Sequence, residues 1–299
     1  MKNLQTVDIV GLGALGVMYA NDFTKALGKD KVRILADAGR TEKYRAQGIT
    51  FNGEACDFNY CDAAAESRPA ELVIYAVKYG ALPAAMEETA HLIGPDTVII
   101  SVLNGIRSED DLGARFGTDK VVHCIARKMD AGKSGSTAVC KNHGELALGI
   151  LNGGQQENLD AVVALFERTG FPYALPADIR HDMWSKLLCN VGVNQTCSLL
   201  EGGYGIVHVP GKARDMMQAA FREVVAVANA EGIDLSEKDV AEWTATIDGL
   251  NPEGEPSMRQ DSKAGRPTEV QLFAGTICAL GRKHGIPTPV NDNFLANIH

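Results

Sequence analysis

Short runs of apolar, β-branched residues alternate with helical patterns through the first half of the chain. Residues 6–10, 31–36, 71–77 and 97–103 form four such runs, whose length and composition indicate buried strands. Helical periodicity follows the first and the third of them. Strands that alternate with helices are typical of a parallel, doubly wound α/β sheet. Two later runs, KVVHCIA and ELALGI, are expected to extend this sheet in the antiparallel direction.

The hydrophobic pattern changes near residue 178, beyond which no strand pattern is convincing. Three long helical patterns occupy this part of the chain: 178–200, 212–232 and 236–250, the last with Ser236 as its N-cap. We therefore predict an α/β protein with an N-terminal Rossmann dinucleotide-binding domain at residues 1–177. An all-helical C-terminal domain is predicted at residues 178–299.

The first of these helices carries polar residues in an apolar setting. Lys186, Asn190 and Asn194 follow one another at intervals of four, so a regular helix places them on nearly one face. Such residues are usually solvated. Most positions around them, however, are apolar: Trp184, Leu187, Leu188, Val191 and Val193. A helix that is apolar on most sides is usually buried, and buried polar groups need partners, which a substrate cleft would supply.

Composition then narrows the class of protein. The 299 residues are 45% hydrophobic, and no run reaches the ~18 apolar residues of a membrane helix. Asp8 interrupts the first apolar run, which argues against a secretory signal peptide. The net charge of -9 disfavours nonspecific binding to nucleic acid. Seven cysteines without a CxxC pair indicate reduced thiols and no metal site. We therefore expect a cytoplasmic protein with neither nucleic-acid nor membrane partners.

A glycine motif follows the first predicted strand and opens the first predicted helix. Six residues form this loop: Gly11, Leu12, Gly13, Ala14, Leu15 and Gly16. In GxGxxG the first glycine permits a tight turn, the second lets a pyrophosphate approach the backbone, and the third allows close helix–strand packing. The helix N-terminus attracts the phosphate charge. An ordinary glycine-rich turn is the alternative, but the strand–turn–helix setting favours a dinucleotide cofactor bound by these six residues.

The end of the second predicted strand bears on the choice of dinucleotide. Asp37 could accept hydrogen bonds from ribose hydroxyls, which favours NAD(H). Arg40, Lys43 and Arg45 could instead meet the 2′-phosphate of NADP(H), or simply form a solvated helix face. The residues alone leave this choice open.

Polar residues also follow the third and fourth predicted strands. Lys78 and Asn104 each come just after a buried run, and ligands of such sheets bind outside the carboxyl ends of the strands. Both residues are therefore expected to border a cofactor crevice. A plain surface lysine and a simple Asn-Gly turn are the alternatives.

Two further helix starts in the second half are polar. Pro256 and Ser257 suit the beginning of a helix, with Gln260 as a capping-box partner. Thr268 is predicted to cap the next helix, which Glu269 opens. These two segments could supply polar groups for the polar face of the helix at 178–200.

Together these motifs resemble the ketopantoate reductase family, the 2-dehydropantoate 2-reductases. The resemblance spans nearly the whole chain and rests on GLGALG, Lys78, LNG at 103–105, WSKLLxNxxxN, SMxQD, and RPTE followed by HGIPTP. It implies a Rossmann domain joined to a helical domain. It also implies reduction of the 2-keto group of ketopantoate, a small 2-keto acid, with NADPH on the route to pantothenate and coenzyme A. The helical domain could support a homodimer.

The resemblance implies a role for each polar residue. Lys186 becomes the general acid for the alkoxide formed by hydride transfer, and Glu269 a second catalytic residue that holds the ammonium or a substrate hydroxyl. The positions that match substrate-binding residues are Asn190, Asn194, Ser257 and Asn104. The positions that match the nicotinamide end of the cofactor are Lys78, Asn104 and Glu269.

Three residues depart from the family pattern. Asp37 stands where many members place an arginine for the 2′-phosphate, although Arg40 could compensate. Tyr204 replaces an asparagine that some members hold near the substrate, and Asp130 replaces a small residue near the nicotinamide. Another 2-keto or 2-hydroxy acid dehydrogenase, an opine-type dehydrogenase, and a nucleotide sensor without turnover therefore stay open as alternatives. The presence of both Lys186 and Glu269 argues against the sensor.

Overall fold

The computed structural model describes residues 2–298; Met1 and His299, the outermost residues of the two predicted domains, lie outside the described part. The chain divides into two compact units, Met1–Ile179 and Arg180–His299. The first unit contains a parallel sheet with helices, and the second unit is helical. This architecture confirms the predicted fold class, a Rossmann-like α/β part followed by a helical domain.

The strands described in the structure all belong to the first unit, together with five α-helices. The strands are β1 (Val7–Val10), β2 (Val32–Ala36), β3 (Thr50–Phe51), β4 (Glu54–Ala55), β5 (Asn59–Asp62), β6 (Leu72–Tyr75), β7 (Val98–Ser101), β8 (His123–Arg127), β9 (Gly132–Ser134), β10 (Thr137–Val139), β11 (Glu145–Gly149) and β12 (Tyr173–Ala174). The helices are α1 (Ala14–Leu27), α2 (Ala38–Gln47), α3 (Leu82–Thr89), α4 (Ser108–Phe116) and α5 (Gln156–Thr169).

Five strands form one parallel sheet in the order β5-β2-β1-β6-β7. Val7 of the central strand lies beside Val32 on one side and Leu72 on the other. Every residue of β1, β2, β6 and β7 is buried, which explains why these segments are apolar almost without interruption. Helix α1 contributes Tyr19 and Phe23 to the core on this sheet.

The later strands differ from the prediction. Strands β8 and β11 pair antiparallel with each other, but with β12 they form a separate three-stranded sheet instead of extending the parallel one. An isolated bridge joins Ile99 of β7 to Val121, just before β8. A further small sheet has the order β4-β3-β10-β9. A hydrophobic run marks a strand without specifying its partner, because pairing depends on contacts distant in sequence.

The second unit is built from seven α-helices among the residues that the structure describes. They are α6 (Ile179–Cys189), α7 (Gln195–Leu199), α8 (Lys212–Ala230), α9 (Glu237–Asp248), α10 (Ser257–Lys263), α11 (Val270–His284) and α12 (Pro289–Asn297). Phe221 of α8, Phe273 of α11 and Phe294 of α12 are fully buried within this unit. Burial of these large rings accounts for much of its apolar core.

The helix starts confirm one prediction and correct two. Ser236 caps α9 as predicted. The capping box predicted for Ser257 is wrong, because Pro256 is the N-cap and Ser257 already lies within α10. Helix α11 has Glu269, not Thr268, as its N-cap. Both corrections shift a boundary by one residue, the usual uncertainty of a helix end.

The helical pattern at 178–200 contains a change of hydrogen-bond register. Helix α6 ends at Cys189, Asn190–Asn194 form a π-helical turn, and α7 continues the segment. A Cβ on Gly192 would lie 2.0 Å from Cε1 of Phe221, so this turn approaches α8 as closely as only glycine permits. Such π turns are rare inside helices and occur frequently at functional sites.

Candidate functional site

The glycine loop between β1 and α1 contains two glycines that the fold itself requires. Gly11 has a φ of +99°, and a Cβ there would lie 2.6 Å from Val77 Cγ1 and 2.8 Å from the carbonyl oxygen of Ala76. A Cβ on Gly16 would lie 2.0 Å from the Gly11 carbonyl oxygen. Both contacts are far closer than a real side chain allows. The turn and the helix–strand approach therefore exclude any other residue at these positions.

Gly13 differs from its two neighbours in the motif. Its φ of -68° suits any residue, and it is the N-cap of α1. A Cβ there would meet the Ala76 carbonyl oxygen at 3.6 Å, an ordinary van der Waals distance, and the residue is exposed. Nothing in the described chain therefore requires glycine here. A ligand that approaches the backbone at the N-terminus of α1 would require it, and the pyrophosphate of a dinucleotide is such a ligand.

The end of β2 carries a close acidic and basic pair. Asp37 caps α2, because its Oδ1 accepts a hydrogen bond of 2.8 Å from the backbone N–H of Arg40. Its Oδ2 lies 3.2 Å from Nε of the same arginine, and about half of each side chain is exposed. Arg45 instead donates to the Tyr60 carbonyl oxygen at 2.5 Å, which gives it a structural partner. Among Arg40, Lys43 and Arg45, Arg40 is the residue whose side chain lies close to Asp37.

Two loops at the same edge of the sheet carry Lys78 and Asn104. Lys78 follows β6 and Asn104 follows β7, and these strands are parallel neighbours. Tyr79 donates a hydrogen bond of 2.6 Å from its hydroxyl to Asp111 Oδ2, and Arg107 Nη2 lies 4.0 Å from Asp111 Oδ1. Asp111 therefore connects the Lys78 loop to the Asn104 loop. Because β1 lies between β2 and β6, the glycine loop and the Asp37 turn share this edge.

A buried carboxyl that no sequence pattern indicates, that of Glu109, lies near the Asn104 loop. Glu109 is 3% exposed and accepts a hydrogen bond of 2.8 Å from the Ser108 hydroxyl. Ser101 donates to Ser108 at 2.8 Å, and the Leu103 N–H donates to Ser101 at 3.3 Å. Burial raises the pKa of Glu109 to about 7, although hydrogen bonds from the Ser108 hydroxyl and from backbone groups lower it. The network fixes the backbone just before Asn104.

In the second unit, the predicted polar face survives the change to a π turn. Lys186 of α6 is half-buried, whereas Asn190 and Asn194 are 8% and 7% exposed. Asn194 Nδ2 donates to Asn190 Oδ1 at 3.1 Å. The Asn190 Nδ2 atom is buried and has no hydrogen-bond partner among the described residues. A buried donor without a partner costs about 1–3 kcal/mol, which a ligand oxygen would recover.

Helices α10 and α11, whose first turns carry the other two predicted residues, both contact the π turn. Ser257 is the first residue of α10 and is exposed, whereas Glu269 at the start of α11 is buried. Cys189, one turn after Lys186, is a protonated thiol, because burial raises its pKa to about 12 in spite of the nearby ammonium. The helices that carry Lys186, Ser257 and Glu269 thus adjoin or contact the π turn that carries Asn190.

The two remaining departures from the family pattern have different explanations. Asp130 accepts hydrogen bonds of 2.8 Å and 2.9 Å from the backbone N–H groups of Lys141 and Asn142, so it holds a turn. Tyr204 donates its backbone N–H to Gly254, and its pKa rises to about 12 through burial, with a smaller effect of the Cys189 thiol. Its ring lies against Gly254, where an added Cβ would be 3.1 Å from Tyr204 Cδ2.

Residues 2–298 contain no cluster of three or more histidine, cysteine or acidic side chains that could hold a metal ion. The cysteines are free thiols. Among the same residues, no helix has the length and hydrophobicity needed to cross a membrane.

Family models match both parts of the chain. The model described as ketopantoate reductase PanE/ApbA matches residues 7–153, and the model described as its C-terminal part matches residues 178–299. The chain therefore belongs to the ketopantoate reductase family and is an oxidoreductase with a Rossmann-like fold.

Known proteins resemble the chain over nearly its whole length. A 2-dehydropantoate 2-reductase of Streptococcus pyogenes is 24% identical over 288 residues, 95% of this chain and 93% of that protein. The structure of a dimeric ketopantoate reductase from Staphylococcus aureus has a TM-score of 0.82 at 24% identity, over 97% and 96% of the two chains. D-mandelate dehydrogenase with NADH and anilino(oxo)acetate has a TM-score of 0.87 at 21% identity, over 98% and 97%. At these identities, the solved structures establish a common fold.

Proposed function

We propose that this chain reduces the 2-keto group of a small 2-keto acid to the 2-hydroxy acid, with ketopantoate as substrate and NADPH as reductant. Family membership supports the reaction class, and the Streptococcus pyogenes relative is named for this substrate. The observation that carries the proposal is the buried Asn190 Nδ2, a donor without a partner in the described chain, one turn after Lys186. A carboxylate or keto oxygen of the substrate would satisfy it.

In this proposal the residues of the helical unit bind and protonate the substrate. Asn190 Nδ2 donates to an oxygen of the keto acid, and Asn194 orients that amide through its own hydrogen bond. Lys186 stabilises the developing alkoxide and transfers a proton from Nζ to that oxygen, which completes the alcohol. Ser257 offers a hydroxyl to the substrate, and Glu269 accepts a hydrogen bond from the ammonium or from a substrate hydroxyl.

The residues of the Rossmann-like unit would hold the dinucleotide, whose reduced nicotinamide supplies the hydride when bound. Gly13 admits the pyrophosphate to the backbone at the N-terminus of α1. Lys78 and Asn104 lie at the strand ends where the nicotinamide belongs in such sheets. Asn104 is also proposed to contact the substrate.

Arg40 is the proposed contact for the 2′-phosphate of NADPH. Asp37 holds Nε of Arg40, which leaves the two terminal amino groups of the half-exposed guanidinium for a phosphate. The carboxylate of Asp37 is at the same time committed to the N-terminus of α2. NADH, bound through ribose hydroxyls to Asp37, is the alternative.

Steady-state oxidation of NADPH and NADH with ketopantoate and a panel of 2-keto acids tests the proposal. Lys186→Ala is expected to lower kcat at least about 10²-fold, while dinucleotide binding, measured by fluorescence titration, stays unchanged. Unchanged turnover would remove Lys186 as the acid. Wild-type protein that binds dinucleotide but turns over no keto acid would instead support a nucleotide sensor.

Tyr204 favours a second substrate class, 2-keto acids with an aromatic side arm. Its half-buried ring lies in the same unit as Lys186, and the D-mandelate dehydrogenase of the same fold was solved with anilino(oxo)acetate, which carries an aromatic ring. The panel should therefore include 2-oxo-2-phenylacetate. If this class is correct, Tyr204→Asn lowers kcat/KM for the aromatic acid and raises it for ketopantoate.

A homodimer is proposed as the assembly. The Staphylococcus aureus ketopantoate reductase of the same fold is dimeric. Light scattering coupled to size-exclusion chromatography would give a mass near twice that of the chain, and a mass equal to one chain would refute the dimer.

A further inference from the structure

Gln195, the residue that follows the π turn, is fully buried and makes hydrogen bonds through its side chain. Its Nε2 donates to the Val191 carbonyl oxygen at 3.0 Å, and its Oε1 accepts from the backbone N–H of Ala274 in α11 at 3.1 Å. The side chain therefore connects the turn that carries Asn190 to the helix that begins at Glu269.

This side chain replaces a bond that the π turn removes from the helix ladder. In a regular α-helix the Val191 carbonyl accepts from the backbone N–H four residues later, that of Gln195. Here that N–H donates to the Gly192 carbonyl oxygen instead. The Gln195 side chain donates to the Val191 carbonyl in place of its own backbone N–H, so the residue contacts the π turn directly.

Asn291, which is also buried, helps to hold the Gln195 side chain in place. Gln195 Nε2 lies 3.4 Å from Asn291 Oδ1, and Asn291 Nδ2 donates to Glu223 Oε2 at 2.8 Å. The same carboxylate accepts backbone N–H bonds from Val290 at 2.7 Å and from Asn291 at 3.0 Å, at the start of α12. Glu223 is buried on α8, two residues after Phe221, whose ring faces the π turn. One helix thus holds the turn by ring packing and by a hydrogen-bonded chain.

We propose that Gln195 and Glu223 are positioning residues of the substrate site, which hold the π turn and thereby aim the Asn190 amide. This inference rests on the proposed function, in which Asn190 binds the keto acid. Neither residue touches the substrate in this scheme. Their effect passes through the Val191 carbonyl and the register of the turn.

Gln195→Met tests the role, because methionine preserves the length of the side chain and removes both hydrogen-bonding groups. The expected result is an increase of about tenfold in KM for the keto acid, with KM and Kd for NADPH within about twofold of wild type. Glu223→Gln, which retains the shape but replaces one of the two acceptor oxygens by an NH2 donor, should shift the keto acid KM in the same direction. It also keeps the test valid if Gln195→Met does not fold.

Gln155→Met is the matched control for loss of a buried glutamine. Gln155 is 1% exposed and uses its side chain in the same manner, with donations of 2.7 Å to the Thr118 and Val121 carbonyl oxygens. It belongs to the first unit and has no bond to the π turn. Equal effects of Gln155→Met and Gln195→Met on the keto acid KM would mean general destabilisation and would overturn the proposal.

A readout without turnover separates this inference from the proposed function. In ¹⁵N-labelled protein, Gln195→Met is expected to shift the side-chain amide resonances of Asn190 and Asn194, whereas Gln155→Met leaves them in place. If wild-type protein reduces no keto acid, the proposed function fails, but the resonance shifts still decide whether Gln195 sets the turn. Unchanged resonances in Gln195→Met and Glu223→Gln would refute the positioning role.

Discussion

At the scale of single residues, the three glycines of one motif differ in why they are glycine. Gly11 and Gly16 have no room for a side chain, whereas Gly13 has both a permissive backbone and free space around it. The described chain itself does not require glycine at position 13. Sequence alone identified the motif, but it could not separate these roles, because they depend on the distance from each position to the Ala76 and Gly11 carbonyl oxygens.

Gly13→Ala is expected to weaken dinucleotide binding by about tenfold or more while leaving the thermal midpoint within a few degrees of wild type. The added methyl group meets the ligand and not the protein, and glycine and alanine differ by only about 1 kcal/mol as N-caps. Fluorescence titration with NADPH and a melting curve measure the two quantities. Gly16→Ala serves as contrast and should destabilise the fold itself, because its Cβ would lie 2.0 Å from the Gly11 carbonyl oxygen. Undiminished binding by Gly13→Ala would argue against pyrophosphate at this position.

Arg40→Gln should reduce the preference for NADPH over NADH by at least about tenfold, with KM for NADH nearly unchanged. The reason is the loss of a charged, bidentate hydrogen-bonding partner for the 2′-phosphate. Asp37→Asn keeps the helix cap and removes only the charge, so it separates capping from cofactor choice. If Arg40→Gln leaves the ratio of NADPH to NADH activity unchanged and Asp37→Asn raises the activity with NADPH, the protein is an NADH-dependent enzyme.

At the scale of elements, the sequence predicted those features that follow from periodicity and missed those that depend on distant contacts. The helical pattern at 178–200 is correct, yet the π turn within it depends on Gly192 against Phe221 and on the Gln195 side chain. Lys78 and Asn104 were predictable because they follow strand ends. Glu109 was not, because an acidic residue in the first turn of a helix is ordinary there and its burial comes from the surrounding fold.

The carboxylate of Asp111 connects the Lys78 loop to the Asn104 loop at the edge of the sheet. Asp111→Asn or Tyr79→Phe should raise KM for the dinucleotide by about three- to tenfold, because either change removes the link that holds the Lys78 loop beside the Asn104 loop. Glu87→Gln is the matched control, since it breaks an exposed pair with Arg115 on neighbouring helices. Equal KM values in all the variants would show that the loops hold their positions without Asp111.

At the scale of the whole molecule, the family models place the chain in its family, but the fold does not select the substrate. A ketopantoate reductase and a D-mandelate dehydrogenase both share that fold. The proposed function therefore assigns specificity to side chains such as Tyr204 and Asn190. The stability of the first unit also depends on the buried carboxyl group of Glu109, because its protonation is coupled to folding.

Glu109 should make the stability of the first unit depend on pH. Its pKa is about 7 in the folded chain, above its ordinary value of 4.5, so the folded state binds the proton more tightly than the unfolded state. The contribution of this group to the free energy of unfolding is therefore complete below about pH 4.5 and falls as pH rises toward 7. Glu109→Gln, which resembles the protonated form, should gain stability relative to wild type between pH 5 and pH 8, by at most about 3 kcal/mol. Denaturant unfolding at the two pH values measures the difference, and a pH-independent effect of the substitution would show that Glu109 is ionised in the fold throughout this range.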